Sequence, residues 1–161
     1  MPTQSRTVNI LSCFMFFIEC EWESMEYQEN MLCYKDYCRL RESVGWLSYS
    51  EEQVREFLKR NLYTVVAIDK NCAIAMGRLI GDGMYHMIVD VVVRPEYQKR
   101  GIGTHIVKML AGYVEDRVPT GGRASIFLAA ENGKEGFYER MGFKRIPHEY
   151  CGSGMRKGIQ K

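Results

Sequence analysis

The chain has 161 residues, of which 46% are hydrophobic and 26% charged, and its formal net charge is +2. This length and composition are typical of a single globular domain with a sizeable core. A net charge this small argues against a nucleic-acid-binding protein, which would need a concentrated basic surface. The six cysteines form no Cys-x-x-Cys pair and the three histidines lie far apart, so the sequence predicts free thiols in a reducing cytoplasm and no metal site.

Residues 1–24 differ in composition from the rest of the chain. They contain an apolar run, residues 10–18, that is too short to span a bilayer. The run has the length of a signal-peptide core, but glutamates at positions 19, 21 and 23 stand where a small-residue cleavage site would lie. Three interpretations stay open: an extra strand or interfacial segment, a weak secretion signal, and translated sequence upstream of a start at Met25.

Helix and strand patterns alternate from residue 34 onwards. Apolar residues at helical spacing predict a helix over residues 34–44. A second helix begins at Ser50, because Gln53 three residues later completes a capping box. Strands are predicted over residues 63–69, 72–80 and 84–93, with a hairpin signal at residues 81–83.

A valine-rich strand and a helix stand on either side of a short loop at the centre of the chain. Val91 to Val93 suit a buried strand, and Pro95 ends its pairing because proline cannot donate to a ladder. Beyond the loop, apolar positions recur at helical spacing and predict one buried stripe. The stripe consists of Ile102, Ile106, Val107, Leu110, Tyr113 and Val114.

The loop between this strand and this helix has the features of an anion site. A helix N-terminus carries unpaired N–H groups and partial positive charge, and Gly101 and Gly103 let a phosphate approach the backbone. Lys99 and Arg100 add positive charge beside it. The alternative is an ordinary strand-to-helix turn with a solvated basic pair. The dinucleotide fingerprint is incomplete, since its third glycine position holds Ile106, and the chain has no P-loop motif.

The remaining elements lie in the last third of the chain. An apolar strand is predicted over residues 124–129 after two breaking glycines. A short helix is predicted over residues 134–141 and ends at Gly142, which suits a C-cap. Residues 143–146 and 154–158 are predicted as two closing strands.

Two motifs in this order resemble the GCN5-related N-acetyltransferase (GNAT) superfamily. Residues 98–103, from Gln98 to Gly103, match the Arg/Gln-x-x-Gly-x-Gly/Ala pyrophosphate loop of that family at every fixed position. Residues 136–143 match a second family motif at the expected distance. The resemblance extends from about Met25, where a first strand suited to the family begins, to the C-terminus. It favours a late start, with residues 1–24 as an extension and residues 25–161 as an N-acetyltransferase domain.

The resemblance implies an α/β (α+β) fold, the acyl-CoA N-acyltransferase fold. In this fold a mixed, mostly antiparallel sheet is flanked by helices, and two parallel strands splay apart. The resemblance further implies transfer of acetyl from acetyl-CoA to a primary amine by direct attack in a ternary complex, without a metal. We expect a small-molecule acceptor, no nucleic acid or membrane partner, and a homodimer as one option. The alternative is a non-catalytic acyl-CoA-binding or regulatory module of the same fold.

The resemblance also assigns roles around the donor. The backbone groups left unpaired by the splayed strands would hold the pantetheine arm. Residues 98–104, called the glycine loop below, would hold the pyrophosphate. Tyr138 occupies the position of the tyrosine that protonates the leaving thiolate, or alternatively packs against the donor. Asn132 would hold the donor and backbone, although its distance from that tyrosine is six residues rather than seven. The expected donor-binding residues are Val91, Val93, Gln98, Lys99, Arg100, Gly101, Ile102, Gly103, Thr104 and Asn132.

The acceptor side and the general base are predicted from fewer residues. Trp46 and Tyr49 would form the acceptor wall by resemblance, or serve only as packing. The family's glutamate position holds Met87, which leaves Asp90 and His86 as titratable neighbours. Strand alternation points Asp90 away from the face of Val91 unless a bulge intervenes. Asp90 therefore has two open roles, as a general base and as a structural hydrogen-bonding residue.

Overall fold

A computed structural model describes residues 25–159 of the chain, and the three interpretations of residues 1–24 lie outside it. One sheet contains five strands in the order β1-β2-β3-β4-β5. The strands are β1 (Glu26–Glu29), β2 (Tyr63–Asp69), β3 (Cys72–Gly81), β4 (Tyr85–Val93) and β5 (Ser125–Leu128). The helices are α1 (Tyr34–Ser43), α2 (Glu51–Leu58), α3 (Ile102–Glu115) and α4 (Glu135–Glu139), with a 3-10 turn at Pro95–Tyr97.

The pairing of the strands confirms the mixed sheet expected from the sequence. The first three neighbouring pairs are antiparallel, whereas β4 and β5 are parallel. The N-cap hydrogen bond of the predicted capping box is also formed, because the Ser50 side chain accepts a hydrogen bond from the N–H of Gln53. The sheet and helices therefore have the acyltransferase arrangement from β1 to α4.

The two predicted closing strands are wrong for the part of the chain that the structure describes. Residues 143–146 and 154–158 carry no strand, and the only pairing nearby is an isolated bridge between His148 and Cys151. Glycines at 152, 154 and 158 weaken any strand there, because glycine is depleted in strands. β5 is consequently the last strand of the sheet.

Each face of the sheet is covered by helices. The face beneath α3 buries Val65 and Leu79 against Ile106 and Leu110. The opposite face, beneath α1 and α2, buries a second cluster around Met76. Strands covered on both faces read as continuous apolar runs, which explains the lack of alternation in β2.

A bulge interrupts β4 at the point where α3 packs most closely on the sheet. Arg78 pairs with Val89 and Met76 pairs with Val92, so Gly77 stands opposite two residues, Asp90 and Val91. A bulge adds one residue to a strand and changes the direction of its side chains. The bulge that the sequence left as an alternative is therefore present at Asp90.

Within residues 25–159, no helix is long and apolar enough to cross a membrane.

Candidate active site

A cleft of about 1120 Å³ opens where β4 and β5 separate. Parallel pairing begins between Tyr85 and Ser125 and ends between Ile88 and Leu128. β4 then continues to Val93, while the chain after β5 turns away towards α4. The cleft is lined by β4 residues 87–93, the loop before α3, the residues that follow β5, and one face of α4.

The cleft edge of β4 presents backbone groups to this opening. The N–H of Arg94 donates to the carbonyl of Ile74 on β3 at 2.9 Å. Successive residues of a strand direct their N–H groups to alternate edges, so the N–H groups of Val91 and Val93 face the cleft. The carbonyl of Val93 accepts a hydrogen bond from Gln98 Nε2 at 3.0 Å. Gln98 therefore ties the glycine loop to the end of β4.

The glycine loop directs the N-terminus of α3 into the cleft. Gly101 has φ +81°, a left-handed conformation that glycine adopts without steric cost, and α3 begins at Ile102. Lys99 is also left-handed, with φ +61°. A Cβ on Gly103 would lie 3.4 Å from side-chain atoms of Val93 and Phe137, so the loop lies close to both walls. Unpaired N–H groups at such a terminus favour an anion.

Tyr138 reaches the cleft from α4 and is held between two aromatic rings. Its ring makes edge contacts with Phe137 and Phe143, with centroids 4.8 and 6.0 Å away. Burial, followed by the negative charge of Glu131, raises the pKa of the Tyr138 hydroxyl. The hydroxyl is therefore protonated at neutral pH and available as a proton donor.

Asp90 lines the cleft, but its carboxylate is bound by three neighbours. Oδ1 accepts from Arg41 at 2.7 Å, and Oδ2 accepts from Arg78 at 2.8 Å and from the Tyr37 hydroxyl at 3.1 Å. With three donors on its two oxygens, the carboxylate has few acceptor sites left for the amine of a substrate. This geometry favours the structural role of Asp90 over the role of general base.

The structure brings most of the predicted residues to the cleft. Trp46 and Tyr138 line it, as do Asp90, Val91, Val93, Gln98, Lys99 and residues 101–104. Three predicted residues do not line it: Arg100 stacks on Tyr97, Tyr49 packs against Phe57, and Asn132 lies beside the wall residues Glu131 and Gly133. Their assignment stays a prediction.

Other residues lie where the sequence did not predict them. His86, a titratable neighbour of Asp90 in the sequence, lines a separate cavity of about 100 Å³ and not the main cleft. Glu131, Lys134 and Arg156 line the cleft outside both motifs, and Arg140 lines it from within the second motif but had no predicted role. Only their charge could have drawn attention to them. Among residues 25–159, no group of three or more His, Cys, Asp or Glu side chains is arranged to hold a metal ion.

Comparisons with known proteins agree on one family. The model of the acetyltransferase (GNAT) family matches residues 17–143. An uncharacterized N-acetyltransferase of Porphyra purpurea is 28% identical over an alignment of 116 residues, which covers 68% of this chain and 63% of that protein. The chain thus spans less than two thirds of the length of the curated relatives it matches.

Two solved structures show the same fold at similar identity. A probable acetyltransferase from meticillin-resistant Staphylococcus aureus is 27% identical with a TM-score of 0.72, over 83% of this chain and 99% of that chain. A GNAT family protein from Streptococcus pneumoniae TIGR4 is 26% identical with a TM-score of 0.70, over 85% of this chain and 99% of that chain. Since the family model matches well over half of the residues, the chain belongs to the acetyltransferase (GNAT) family.

Proposed function

We propose that the protein transfers the acetyl group of acetyl-CoA to the primary amine of a small molecule, by direct attack in a ternary complex. One observation carries the proposal: within residues 25–159, the edge of β4 beyond Ile88 has no partner strand, and this edge and a helix N-terminus open into the same cleft. The donor has amides along its pantetheine arm and charge on its pyrophosphate. The N–H of Val93 and the main-chain carbonyl of Val91 suit the amides, and residues 98–104 with the side chain of Lys99 suit the charge.

The reaction then needs few side chains. The neutral amine attacks the thioester carbon, a C–N bond forms, and negative charge develops on the carbonyl oxygen. The N–H of Val91 is suited to stabilise this charge, because a fixed backbone dipole needs no reorganisation during the reaction. The C–S bond then breaks, and the leaving sulfur takes the proton of the Tyr138 hydroxyl. The amine loses its proton to water. The deprotonated Tyr138 then takes a proton from the solvent, which restores its hydroxyl.

The walls of the cleft support an amine with an apolar body. Val44, Trp46 and Met87 contribute apolar surface on the side of α1. An aromatic wall can hold a flat or aliphatic group without a charged partner. We place the reaction in the cytoplasm, which is consistent with the free thiols of Cys33, Cys38, Cys72 and Cys151.

Thiol release from acetyl-CoA across a panel of primary amines tests this function. We expect turnover with at least one class of small amine, and the panel should include arylalkylamines, polyamines, amino acids and aminoglycosides. Absence of turnover with every class, together with a melting temperature raised by CoA, would contradict catalysis. That outcome would support a non-catalytic acyl-CoA-binding module of the same fold.

Replacing Lys99 by alanine should weaken the binding of acetyl-CoA without slowing the chemical step. Lys99 is exposed beside the left-handed turn of the loop, so its attraction to the pyrophosphate is screened by water. We expect the KM for acetyl-CoA to rise about threefold to tenfold at unchanged kcat. Lys108→Ala is the matched control, because Lys108 lies on the exposed face of α3 outside the cleft. Equal effects of the two substitutions would remove Lys99 from the donor site.

A further inference from the structure

A buried ionic cluster adjoins the cleft at Asp90. It consists of Asp90, Arg41, Arg78 and Tyr37, which come from β4, α1 and β3. The side chains of Asp90 and the two arginines are 13%, 10% and 10% exposed. Burial, followed by the charge of Asp90, raises the pKa of Tyr37, so its hydroxyl remains a donor to the carboxylate. A cluster this well paired keeps one geometry, because a buried charge without its partner is strongly destabilising.

The backbone at the centre of this cluster is strained. Asp90 has φ +50°, in the left-handed region that non-glycine residues rarely adopt. It is also one of the two bulge residues opposite Gly77. Such a conformation persists only where surrounding contacts enforce it. The two guanidinium groups and the Tyr37 hydroxyl supply those contacts, and Val91 is the next residue along the strand.

Arg41 of the same cluster also contacts the segment after α1, where the acceptor wall is predicted. Arg41 Nε and Nη2 both donate to the carbonyl of Leu47, at 3.2 and 2.8 Å. The guanidinium also stacks on the rings of Trp46 and Tyr49, at 5.1 and 4.9 Å from their centroids. One guanidinium group therefore contacts both the segment that carries Trp46 and the carboxylate at the bulge.

We propose that Asp90 is a positioning residue, which acts with Arg41 to fix the N–H of Val91 and the Trp46 wall relative to each other. The carboxylate holds the bulge in its strained conformation. Arg41 binds this carboxylate and also contacts residues 46–49, so it fixes their distance from the bulge. The donor carbonyl and the acceptor amine are then aligned by one ionic pair. The proposal rests on the proposed acetyl transfer and assigns Asp90 no proton.

Asp90→Asn and Arg41→Gln test the kinetic part of this proposal. Both substitutions remove the charge and keep a polar side chain, which has the same size in Asp90→Asn and is shorter in Arg41→Gln. We expect each to lower kcat about 100-fold, the loss that follows from misplacing reacting groups by about 1 Å, while the KM for acetyl-CoA changes less than threefold. The double variant should be no slower than the slower single variant, because both substitutions break the same Asp90–Arg41 pair.

Three results would overturn the proposal. The first is a kcat within threefold of the wild type in either single variant, and the second is an additive loss in the double variant. The third is loss of the acidic limb of the pH–rate profile in Asp90→Asn but not in Arg41→Gln, which would make Asp90 a general base. Arg55→Gln is the matched control, since Arg55 forms an exposed ion pair with Glu51 on α2. We expect it to leave kcat unchanged.

Tryptophan fluorescence tests the coupling without any turnover. The chain has two tryptophans, so Trp22→Phe leaves Trp46 as the single reporter. In that background Asp90→Asn should alter the emission and anisotropy of Trp46, because Arg41 contacts both residues. Arg41→Lys supplies a milder change if Asp90→Asn fails to fold, because lysine keeps the charge but lacks the planar donor fork and the ring stacking of a guanidinium. An unchanged Trp46 signal in both variants would refute the coupling, even if the acetyl-transfer assay finds no acceptor.

Discussion

Tyr138→Phe should reduce kcat by about 100-fold or more while leaving the KM for acetyl-CoA nearly unchanged. A positioned general acid contributes about 10²- to 10⁴-fold to a rate, and phenylalanine removes only the hydroxyl that supplies the proton. The ring would keep its edge contacts with Phe137 and Phe143, so we expect little effect on folding. Steady-state kinetics with saturating amine would measure the change.

The pH dependence separates the acid role of Tyr138 from a packing role. The protonated hydroxyl is the active form, and burial raises its pKa, so the wild-type rate should hold through neutral pH and fall only at higher pH. That alkaline limb should vanish in Tyr138→Phe. Tyr113→Phe is the control, because this ring stacks on Tyr63 outside the cleft. A retained alkaline limb with kcat within threefold of the wild type would make Tyr138 a packing residue.

Gly77→Ala should destabilise the protein, although it adds only one methyl group. A Cβ at this position would lie 2.6 Å from Ile106 Cγ2 and 2.9 Å from Leu110 Cδ1. Both side chains are fully buried, so α3 would have to shift away from the sheet. Overpacking of this kind costs about 1–3 kcal/mol in the free energy of unfolding, and Gly77→Val should cost more. Urea denaturation would measure the loss.

Gly112→Ala provides the opposite result on the same helix. A Cβ built on Gly112, near the end of α3, would have no atom of residues 25–159 outside its own helical turn within 4 Å. Alanine in a helix interior is more favourable than glycine by about 0.5–1 kcal/mol, so this variant should be stabilised. If both variants changed the free energy of unfolding by similar amounts, the close packing of α3 on Gly77 would not determine the effect of an added methyl group.

Local patterns in the sequence predicted most of the fold. Helical stripes, the capping box at Ser50 and the glycine turn before α3 each depend on residues a few positions apart. The closing strands were the exception. A strand becomes stable only when a neighbour pairs with it and one face is covered, and no local pattern reports whether residues 143–158 find such a neighbour.

The site was predictable only where a motif carries it. The glycine loop and Tyr138 lie within family motifs and line the cleft. The cluster around Asp90 joins residues far apart in the chain, since Arg41 is separated from it by 49 positions. Nothing in the spacing of single charged residues indicates such a pair. The sequence offered the bulge at Asp90 only as an alternative, because its φ of +50° depends on contacts from α1 and β3.

The cleft edge of β4 determines which substitutions the site should tolerate. Every amino acid except proline carries the same main-chain N–H, so the proposed acetyl-CoA site on the backbone of Val91 and Val93 would not depend on their side chains. Those side chains instead pack against the core beneath α3. Substitutions among apolar residues there would change stability and leave recognition intact, whereas proline at either position would delete one hydrogen-bond donor from the cleft.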